Sequence, residues 1–533
     1  MHDEVIDRAD EMVALPEGLA DRVAVDVGAQ IAYVEHSYAS NTIFLSWIAR
    51  NAQNNRRLKV EPRSFEDVAK MLGRGMRLGT ESAGDVDMTV LKDAERLICM
   101  AAAYRASDIH LMMRGTHCVV QIEMNGGLRE MEQMSHAAGL ALARAIYQGL
   151  ATVRDASYKA LECQNAQIAG EVFPPETELS SVRIVRGPCY PQAKGGEFMT
   201  LRLQYVNAFS SADGTAELRA LTLPQRPDGK MTLVGYTSGN LEKLQRLMDA
   251  PTGVVIWLGP TGAGKTTAMY EVLQELARRK PQNRVVTIED PVEYPMDWAV
   301  QMFVTNARND EETGAAYAAL LRVALRMAPK SILLGELRGP DVAVAACEAA
   351  VTGHQVLTTL HATDPFLFVD RLELMDSERL NRRVFCDHKV IRGVIAQRLL
   401  PRLCRRCSIK LTPDNISMLP GRLYRALQTW GSLDKVRLLG PGCEHCNHSG
   451  TVDRFAVAEV VPTDARLMGD FIRNGTEVAR ANYYARPDAD PPMLVQAIKH
   501  ALNGVVDPRT VEEKVDLVEP RSADQNEGER NGR

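Results

Sequence analysis

The sequence predicts a multidomain α/β protein whose largest domain is a parallel sheet with crossover helices. The chain has 533 residues, which is too long for a single hydrophobic core. Strand-like apolar runs alternate with helical periodicity over residues 231–400, as parallel strands joined by helices require. The stretch WLGPTGAGKTTAMY, residues 257–270, places a G-x-x-x-x-G-K-T phosphate loop between an apolar strand and an amphipathic helix. Such a loop binds the phosphates of a nucleoside triphosphate.

Composition indicates an ordinary soluble chain. Hydrophobic residues make up 45% and charged residues 25%, and the net charge of −5 gives no overall basic field of the kind that nucleic-acid binders show. No apolar run reaches the roughly 18 residues that a membrane-spanning helix needs. The acidic start MHDEVIDRADE lacks an apolar signal region. We therefore expect a cytoplasmic protein.

Two smaller domains are expected before the sheet. Residues 1–85 contain short helical patterns and predict a small partner-binding domain, with plain packing as the alternative. Residues 86–205 predict a mixed α/β domain, with strands at IHLMM, CVVQIEM and FMTLRLQY and a hairpin turn at the NGG of 125–127. Residues 206–230 lose periodicity and gain Ser, Asp, Gly and Pro, which predicts a flexible linker.

The core domain with the phosphate loop is expected at residues 231–400, with strands at GVVIWL, RVVTIED, SILLGE and QVLTTLHA. A cysteine-bearing lobe at 401–455 and a helical region at 456–515 follow. The polar tail, 516–533, is predicted to be disordered.

Glycines and a lysine give the phosphate loop its chemistry. Gly259, Gly262 and Gly264 let backbone N–H groups approach phosphate oxygens, and the following helix N-terminus favours the anion. Lys265 is expected to reach the β- and γ-phosphates, and the Thr266 hydroxyl to bind Mg²⁺.

Polar side chains follow three of the predicted strands, where α/β sheets place their ligands. RVVTIEDPVEY supplies Glu289, Asp290 and Glu293; SILLGELRG supplies Glu336; and QVLTTLHATD supplies His361, with His354 just before that strand. Phosphoryl transfer needs a positioned water and charge neutralisation. Glu336 is the predicted water-orienting carboxylate, because it directly terminates an apolar strand. The alternatives are a solvated glutamate for Glu336, helix capping for the first two acids, and structural roles for the histidines.

Four of the ten cysteines form two C-x-x-C pairs, Cys404 with Cys407 and Cys443 with Cys446. In a chain without disulfides, two such pairs predict a closed Cys₄ zinc site with a structural role. The 35 intervening residues exceed the usual ribbon spacing, so they must form a lobe. A redox dithiol is the alternative.

In their order, these motifs resemble those of the secretion ATPases of type II secretion and type IV pilus assembly. GPTGAGKTT corresponds to Walker A, TIEDPVEY to the Asp box, LLGELRG to an atypical Walker B motif and TGHQVLTTLHATD to the His box. AQRLLPRLCRRC, GCEHCNHSG and FAVAEV also match, and ASDIHL and the stretch from VRIVR to FMTLRL resemble the second N-terminal domain of the family. The resemblance covers roughly residues 95–515.

The resemblance implies a RecA-like P-loop core preceded by a PAS-like mixed domain. It implies a homo-hexamer that uses ATP and Mg²⁺, works with an inner-membrane platform protein at the cytoplasmic face of the inner membrane, and binds no nucleic acid. The expected catalytic set is Glu336, Lys265, Glu289, His361 and the γ-phosphate-sensing pair Arg183 and Arg202. The expected nucleotide contacts are Gly259, Pro260, Thr261, Gly262, Ala263, Gly264, Lys265, Thr266, Thr267, Glu289, Asp290, Glu293 and His354.

Some positions depart from the family pattern. RMAPK places Ala328 and Lys330 where the family often has acids, GELRG ends in Gly339, and EMNG replaces an R-x-D-G turn. These departures touch no predicted catalytic group. They indicate a divergent branch, such as a conjugative-plasmid pilus system.

The sequence thus predicts a motor ATPase that assembles a type IV pilus or type II pseudopilus. The resemblance places the cysteine lobe in assembly and secretion members, which predicts an extension motor. One alternative is a RecA-like nucleic-acid or DNA-transfer motor, for which the chain offers a basic patch of Arg392, Arg398, Arg402, Arg405 and Arg406. Against this alternative, aromatic residues are only 5% of the chain, and none interleaves with these arginines to stack bases. A scaffold that binds ATP without hydrolysing it is the other.

Overall fold

The computed structural model describes residues 88–206, 233–304 and 310–521, together with 19, 23–26, 30–35, 39, 42–53, 57–63, 68, 218 and 221. The predicted linker, 206–230, therefore lies almost wholly outside the described residues, as does the tail from 522 onward. None of the described helices is long and apolar enough to cross a membrane.

The chain divides into two compact units, residues 1–86 and 87–533. The described residues of the first form a three-stranded sheet and a helix: β1 (Val23–Asp26), β2 (Ile31–Glu35), α1 (Thr42–Gln53) and β3 (Lys59–Arg63). β2 pairs antiparallel with β1 and parallel with β3. Phe44 and Trp47, one helical turn apart on α1, are buried and form the small core of this unit with strand residues.

The second unit begins with a mixed domain built on a seven-stranded antiparallel sheet, in the order β6-β5-β4-β10-β9-β8-β7. Its elements are α2 (Met88–Ala103), β4 (Asp108–Met113), β5 (His117–Met124), β6 (Gly127–Ser135), α3 (His136–Arg144), β7 (Val153–Arg154), β8 (Gln164–Ala169), β9 (Leu179–Pro188) and β10 (Glu197–Tyr205). The predicted hairpin turn is confirmed: Asn125 and Gly126 both have positive φ between paired β5 and β6.

The core domain is a second seven-stranded sheet, in the order β13-β12-β14-β15-β11-β16-β19. Six strands are parallel and β19 is antiparallel. Its elements are α4 (Ser238–Asp249), β11 (Gly253–Leu258), α5 (Lys265–Arg279), β12 (Val285–Glu289), β13 (Ala299–Phe303), α6 (Asp310–Ala324), β14 (Ser331–Leu334), α7 (Pro340–Val351), β15 (Gln355–Leu360), α8 (Phe368–Met375), α9 (Arg382–Phe385), β16 (Ile391–Leu403) and β19 (Thr451–Pro462).

Helices cover both faces of this sheet, because successive strand residues point to opposite sides. Val254, Ile256 and Leu258 of β11 pack into one core with α6 and α7. Val255 and Trp257 pack into another with α4 and α5. The central strand is therefore buried throughout, and its carboxyl end is fixed where the phosphate loop begins. The predicted α/β fold, with a mostly parallel core sheet and crossover helices, is confirmed.

The lobe is an insertion between two paired strands of the core sheet. It contains β17 (Ile409–Lys410), α10 (Gly421–Gln428) and β18 (Arg437–Leu438). The predicted limits 401–455 need correction, because β16 continues to Leu403 and β19 starts at Thr451. The region after the lobe likewise begins with β19, which completes the core sheet, before α11 (Ala465–Tyr484), α12 (Met493–Leu502) and α13 (Pro508–Lys514).

Part of the predicted disordered tail is ordered, which corrects the boundary at residue 516. Val518 is fully buried, and its backbone O accepts a 3.0 Å hydrogen bond from Arg422 of α10. The Trp430 indole donates to the backbone O of Glu519. One buried valine and these two contacts fix residues 516–521 against the lobe.

The mixed domain packs against the core domain at the start of β12 and along the edge strand β13. Leu128 N donates to Gln282 O at 3.0 Å, and Tyr190 N donates to Gln301 O at 2.8 Å. Met112 and Phe198 of the mixed domain join the same buried cluster as core-domain residues. These contacts, together with a 3.6 Å ion pair between Glu123 and Lys330 just before β14, place the mixed domain beside the amino ends of β12 and β14, whereas the phosphate loop lies at the carboxyl end of β11.

Candidate nucleotide site and metal site

The phosphate loop connects β11 to α5, as predicted. Its glycines Gly259, Gly262 and Gly264 have φ of 152°, 78° and 79°, a region that L-residues with side chains rarely adopt. A Cβ at Gly259 would also lie 2.8 Å from the backbone O of Gln397. The backbone, rather than side chains, therefore lines the loop, and α5 begins directly behind it at Lys265.

Lys265 is folded back onto the loop. Its Nζ donates to Gly259 O at 2.7 Å and to Pro260 O at 3.1 Å. Burial, together with the charge of Arg398, lowers the pKa of Lys265, while the charge of Glu336 opposes this. The ammonium thus occupies the loop and is positioned to exchange two carbonyl contacts for phosphate oxygens.

Glu336 lies just beyond the end of β14, and each of its carboxylate oxygens has a close partner. Its Oε2 is 2.9 Å from Arg338 Nε, and its Oε1 is 3.0 Å from His361 Nε2. Arg338 Nη1 also lies 3.5 Å from Asp290 Oδ2. The structure therefore brings together three predicted site residues, Glu336, His361 and Asp290, around an arginine that the sequence interpretation missed.

Glu289 and Asp290 are neighbours with different surroundings. Glu289 is buried and accepts hydrogen bonds from Thr287 Oγ1 at 2.6 Å and Gln301 Nε2 at 3.0 Å. Burial raises its pKa. These contacts hold Glu289 within the sheet, which differs from the helix-capping alternative, whereas Asp290 is half-buried and faces Arg338.

Other predicted contacts line the loop and its margin. Thr266 is half-buried in the first turn of α5, and Glu293 and Thr261 are exposed. Thr267 Oγ1 lies 3.0 Å from the hydroxyl of Tyr294, whose ring stacks on that of Tyr270. The Asp-box segment is thereby held against the start of α5.

His354 does not join the other site residues, which corrects its prediction as a nucleotide contact within one chain. It precedes β15, so it lies at the amino end of a strand whose carboxyl end is level with the phosphate loop. Six residues of parallel strand separate these ends by about 20 Å. His354 Nδ1 instead lies 3.2 Å from the backbone O of Ala349.

Arg183 and Arg202 occupy directly opposite positions on β9 and β10, so they share one face of the mixed-domain sheet. Arg202 Nε lies 2.9 Å from Asp108 Oδ1. Burial lowers the pKa of His354, and the charges of Lys330 and Arg202 add to that effect. Arg202 therefore lies toward the amino ends of the core strands, and the structure does not bring the pair to the phosphate loop of the same chain.

The four paired cysteines converge into one cluster, with all four Sγ atoms within 4.8 Å of one another. The Sγ atoms of Cys404 and Cys443, of Cys407 and Cys446, and of Cys443 and Cys446 are each 3.8 Å apart. Burial raises the pKa of Cys446, but hydrogen bonds from the backbone at Cys443 and Gly450 and from the side chains of Cys407 and Cys443 together outweigh it and bring this pKa to about 6. The cluster is a possible four-sulfur metal site.

The fold and the site define a multidomain α/β protein with a phosphate-loop motif at the carboxyl edge of its parallel core sheet, preceded by a mixed antiparallel domain. The chain belongs to the type II/IV secretion system protein family, whose model matches residues 84–514. The secretion-ATPase family predicted from the motifs is thereby confirmed.

Among its relatives, the type IV pilus assembly ATPase PilB of Thermus thermophilus is 28% identical over 392 residues, which are 73% of this chain and 39% of the relative. The type II secretion system protein HxcR of Pseudomonas aeruginosa is 31% identical over 71% of this chain and 67% of its own length. The protein transport protein HofB homolog of Escherichia coli is 30% identical over 73% and 74%. The chain thus spans well under half of PilB and about two thirds or more of the other two.

Proposed function

We propose that this protein is a hexameric motor ATPase that couples Mg²⁺-dependent ATP hydrolysis to assembly of a type IV pilus or a type II secretion pseudopilus. The observation that carries the proposal is the Glu336 carboxylate, fixed by Arg338 and His361 at the end of β14 in a chain that also carries a complete phosphate loop. The carboxyl ends of β14, before Glu336, and of β11, before the phosphate loop, lie at the same edge of the parallel sheet, where such sheets bind ligands.

The residues of the site divide the work of phosphoryl transfer. Loop N–H groups and the start of α5 take up phosphate oxygens, and Lys265 leaves its two carbonyl partners to neutralise the added charge. Glu336 orients the attacking water. Arg338 and His361 keep that carboxylate in place, and Arg338 keeps Asp290 beside it. The Thr266 hydroxyl and the Asp290 carboxylate offer oxygen ligands for Mg²⁺, which supplies charge neutralisation on the phosphates.

The mixed domain before the linker supplies the movement that the motor couples to hydrolysis. Arg183 and Arg202 lie side by side on β9 and β10, and because Asp108 pairs with Arg202, Arg183 adds a second positive charge that an incoming phosphate would neutralise. Because this pair lies away from the phosphate loop of its own chain, it reaches a γ-phosphate either by domain movement across the linker or on a neighbouring subunit. A ring of subunits provides for both.

Zinc is the proposed occupant of the cysteine cluster. Four sulfurs at about 2.3 Å from one tetrahedral zinc ion lie about 3.8 Å apart, which fits the three measured separations of 3.8 Å. Four sulfur ligands leave no open position, so the ion would stabilise the lobe and take no part in catalysis. The lobe supports an extension motor, because the family resemblance places it in assembly and secretion members.

The proposed partner is an inner-membrane platform protein, with the ring at the cytoplasmic face of that membrane. Relatives named for type IV pilus assembly and for type II secretion support this setting. The nucleic-acid alternative is weakened by the positions of its predicted basic patch. Arg392 donates to the backbone O of Thr252 and Arg398 to that of Thr363, so these two side chains are engaged inside the core domain.

Deletion and complementation test the proposal. A strain lacking the protein should lose surface pili or secretion, wild-type protein should restore them, and Lys265→Ala should not. Lys389→Ala, which alters an exposed lysine of the same domain, should restore them fully. A deletion strain that makes pili but cannot withdraw them would overturn the direction of work. Purified protein without steady-state ATP turnover would favour the alternative of an ATP-binding scaffold. Turnover that requires nucleic acid would favour the alternative of a nucleic-acid motor.

A further inference from the structure

Gln397, in the middle of β16, contacts the phosphate loop from its side. The side chain is buried, and its Nε2 donates to the backbone O of Ala263 at 2.5 Å. Its Oε1 accepts a hydrogen bond from the Tyr236 hydroxyl at 2.6 Å. The orientation of the amide follows from chemistry, since a carbonyl such as Ala263 O can only accept. With the amide nitrogen fixed on Ala263 O, the Tyr236 hydroxyl donates to the remaining oxygen and satisfies it.

The contact with Ala263 fixes the direction of the next N–H group. A peptide unit is planar and trans, so the carbonyl of Ala263 and the N–H of Gly264 point in opposite directions. With Ala263 O held against β16, the Gly264 N–H points away from that strand and into the loop. Among the described residues, no acceptor for this N–H is found. It is left available for a phosphate oxygen.

Tyr236 belongs to the segment that follows the linker between the two larger domains. The backbone O of Val234 accepts a 2.9 Å hydrogen bond from Ala456 N of β19. Gly235 has φ of 100°, and a Cβ there would lie 2.1 Å from Ala456 O, so only glycine allows this approach. The segment is thereby fixed against the sheet with the Tyr236 hydroxyl directed at Gln397. Burial raises the pKa of Tyr236, which keeps its hydroxyl protonated as a donor.

We propose that Gln397 is a positioning residue that presents the Gly264 N–H to the nucleotide phosphates, and that Tyr236 links this contact to the end of the interdomain linker. The inference rests on the proposed function, because it assumes that the loop binds ATP. When the segment carrying Tyr236 shifts, the amide of Gln397 is released, the 263–264 peptide loses its anchor and phosphate affinity falls. Movement of the mixed domain is thus converted into a change in nucleotide affinity.

Two substitutions with matched controls test this inference in the full-length protein. Gln397→Glu replaces the donor with a carboxylate that repels Ala263 O, and Tyr236→Phe removes only the hydroxyl. Gln496→Glu makes the same change at a glutamine that donates to the backbone O of Ala458 and Pro491. Tyr147→Phe removes a hydroxyl that accepts from Asp155 N in the mixed domain. ADP affinity is measured by calorimetry, and kcat and KM for Mg·ATP by steady-state turnover.

Gln397→Glu should weaken ADP binding and raise KM for ATP about tenfold, the usual scale for one hydrogen bond to a charged group. Tyr236→Phe should weaken ADP binding and raise KM for ATP about threefold. In both variants kcat should change by less than twofold, and both controls should match wild type. ADP affinity within 1.5-fold of wild type in both variants would overturn the inference, as would an equal loss in the controls. If Gln397→Glu fails to fold, Tyr236→Phe alone decides. ADP binding requires no motor activity, so wild-type protein that binds ADP without hydrolysing ATP would refute the proposed function and leave this comparison valid.

Discussion

The carboxylate of Glu336 lies 3.0 Å from Nε2 of His361, across the ends of two neighbouring parallel strands. Leu334 of β14 pairs with Thr358 of β15, so both side chains emerge at the same edge of the sheet within three residues of this pairing. Arg338 approaches the other carboxylate oxygen at 2.9 Å. A water-orienting group needs this kind of support, because loose positioning by about 1 Å costs orders of magnitude in rate.

Glu336→Gln should lower kcat by about 10²- to 10³-fold and leave ATP binding within about threefold of wild type. The change preserves size and removes the charge that orients water. Turnover and nucleotide affinity of the purified protein check this. Glu348→Gln, at an exposed position on α7, is the matched control and should behave as wild type. A kcat near wild type for Glu336→Gln would refute the role assigned to this residue.

Arg183→Ala should lower ATP turnover more than ATP affinity, by about tenfold or more against less than threefold, because its charge acts only when the second domain meets the γ-phosphate. Arg202→Ala should act in the same direction and also leave the buried Asp108 without its ion pair, so it should additionally lower thermal stability. Arg129→Ala, at an exposed position of the same sheet, is the control. Full activity after cleavage of the chain near residue 220 would contradict the need for domain movement.

The parts of the site that the sequence predicted are those fixed by local pattern. Glycine spacing and an apolar strand determine the phosphate loop, and Glu336 follows its strand directly. His354 lies apart from the phosphate loop of its own chain, because a residue before a parallel strand lies at the opposite edge of the sheet from a residue after it. That rule was available from the sequence and would have separated His354 from His361.

Other features depend on long-range pairing. β16 and β19 pair antiparallel although the lobe separates them along the chain, so the seventh strand of the core sheet was assigned to another region. Gln397 reaches Ala263 across 134 positions, and no local spacing marks such a contact. Arg338 did carry a local signal, since it lies two residues beyond Glu336 in the same strand-end motif.

Metal analysis of purified protein should find one zinc ion per chain. Cys404→Ser or Cys443→Ser should abolish zinc binding and lower the melting temperature of the lobe, since removing one of four ligands opens a closed structural site. Cys347→Ser changes a half-buried cysteine of α7 outside the cluster and should retain the metal. Folded, active and metal-free protein would contradict the site.

Glu459 predicts a pH-dependent stability that a single substitution should remove. Burial raises the pKa of this β19 carboxyl to about 7, the charges of Asp364 and Asp490 add to the increase, and hydrogen bonds from Tyr484 and Met493 N only partly oppose it. The folded state therefore holds a proton that the unfolded state releases above the ordinary glutamate pKa of 4.5, so the stability contributed by this group is full below that pH and is lost as pH rises toward 7.

Glu459→Gln keeps the side chain permanently neutral, and Tyr484 can hydrogen-bond to the amide. At pH 8 the variant should be more stable than wild type by up to roughly 3 kcal/mol, seen as a higher melting temperature, and the difference should vanish near pH 4.5. Glu348→Gln makes the same change in charge at an exposed site and should show no such pH-dependent gain. A Glu459→Gln variant that melts at or below wild type at pH 8 would show that the carboxylate is stabilising there and that the raised pKa is wrong.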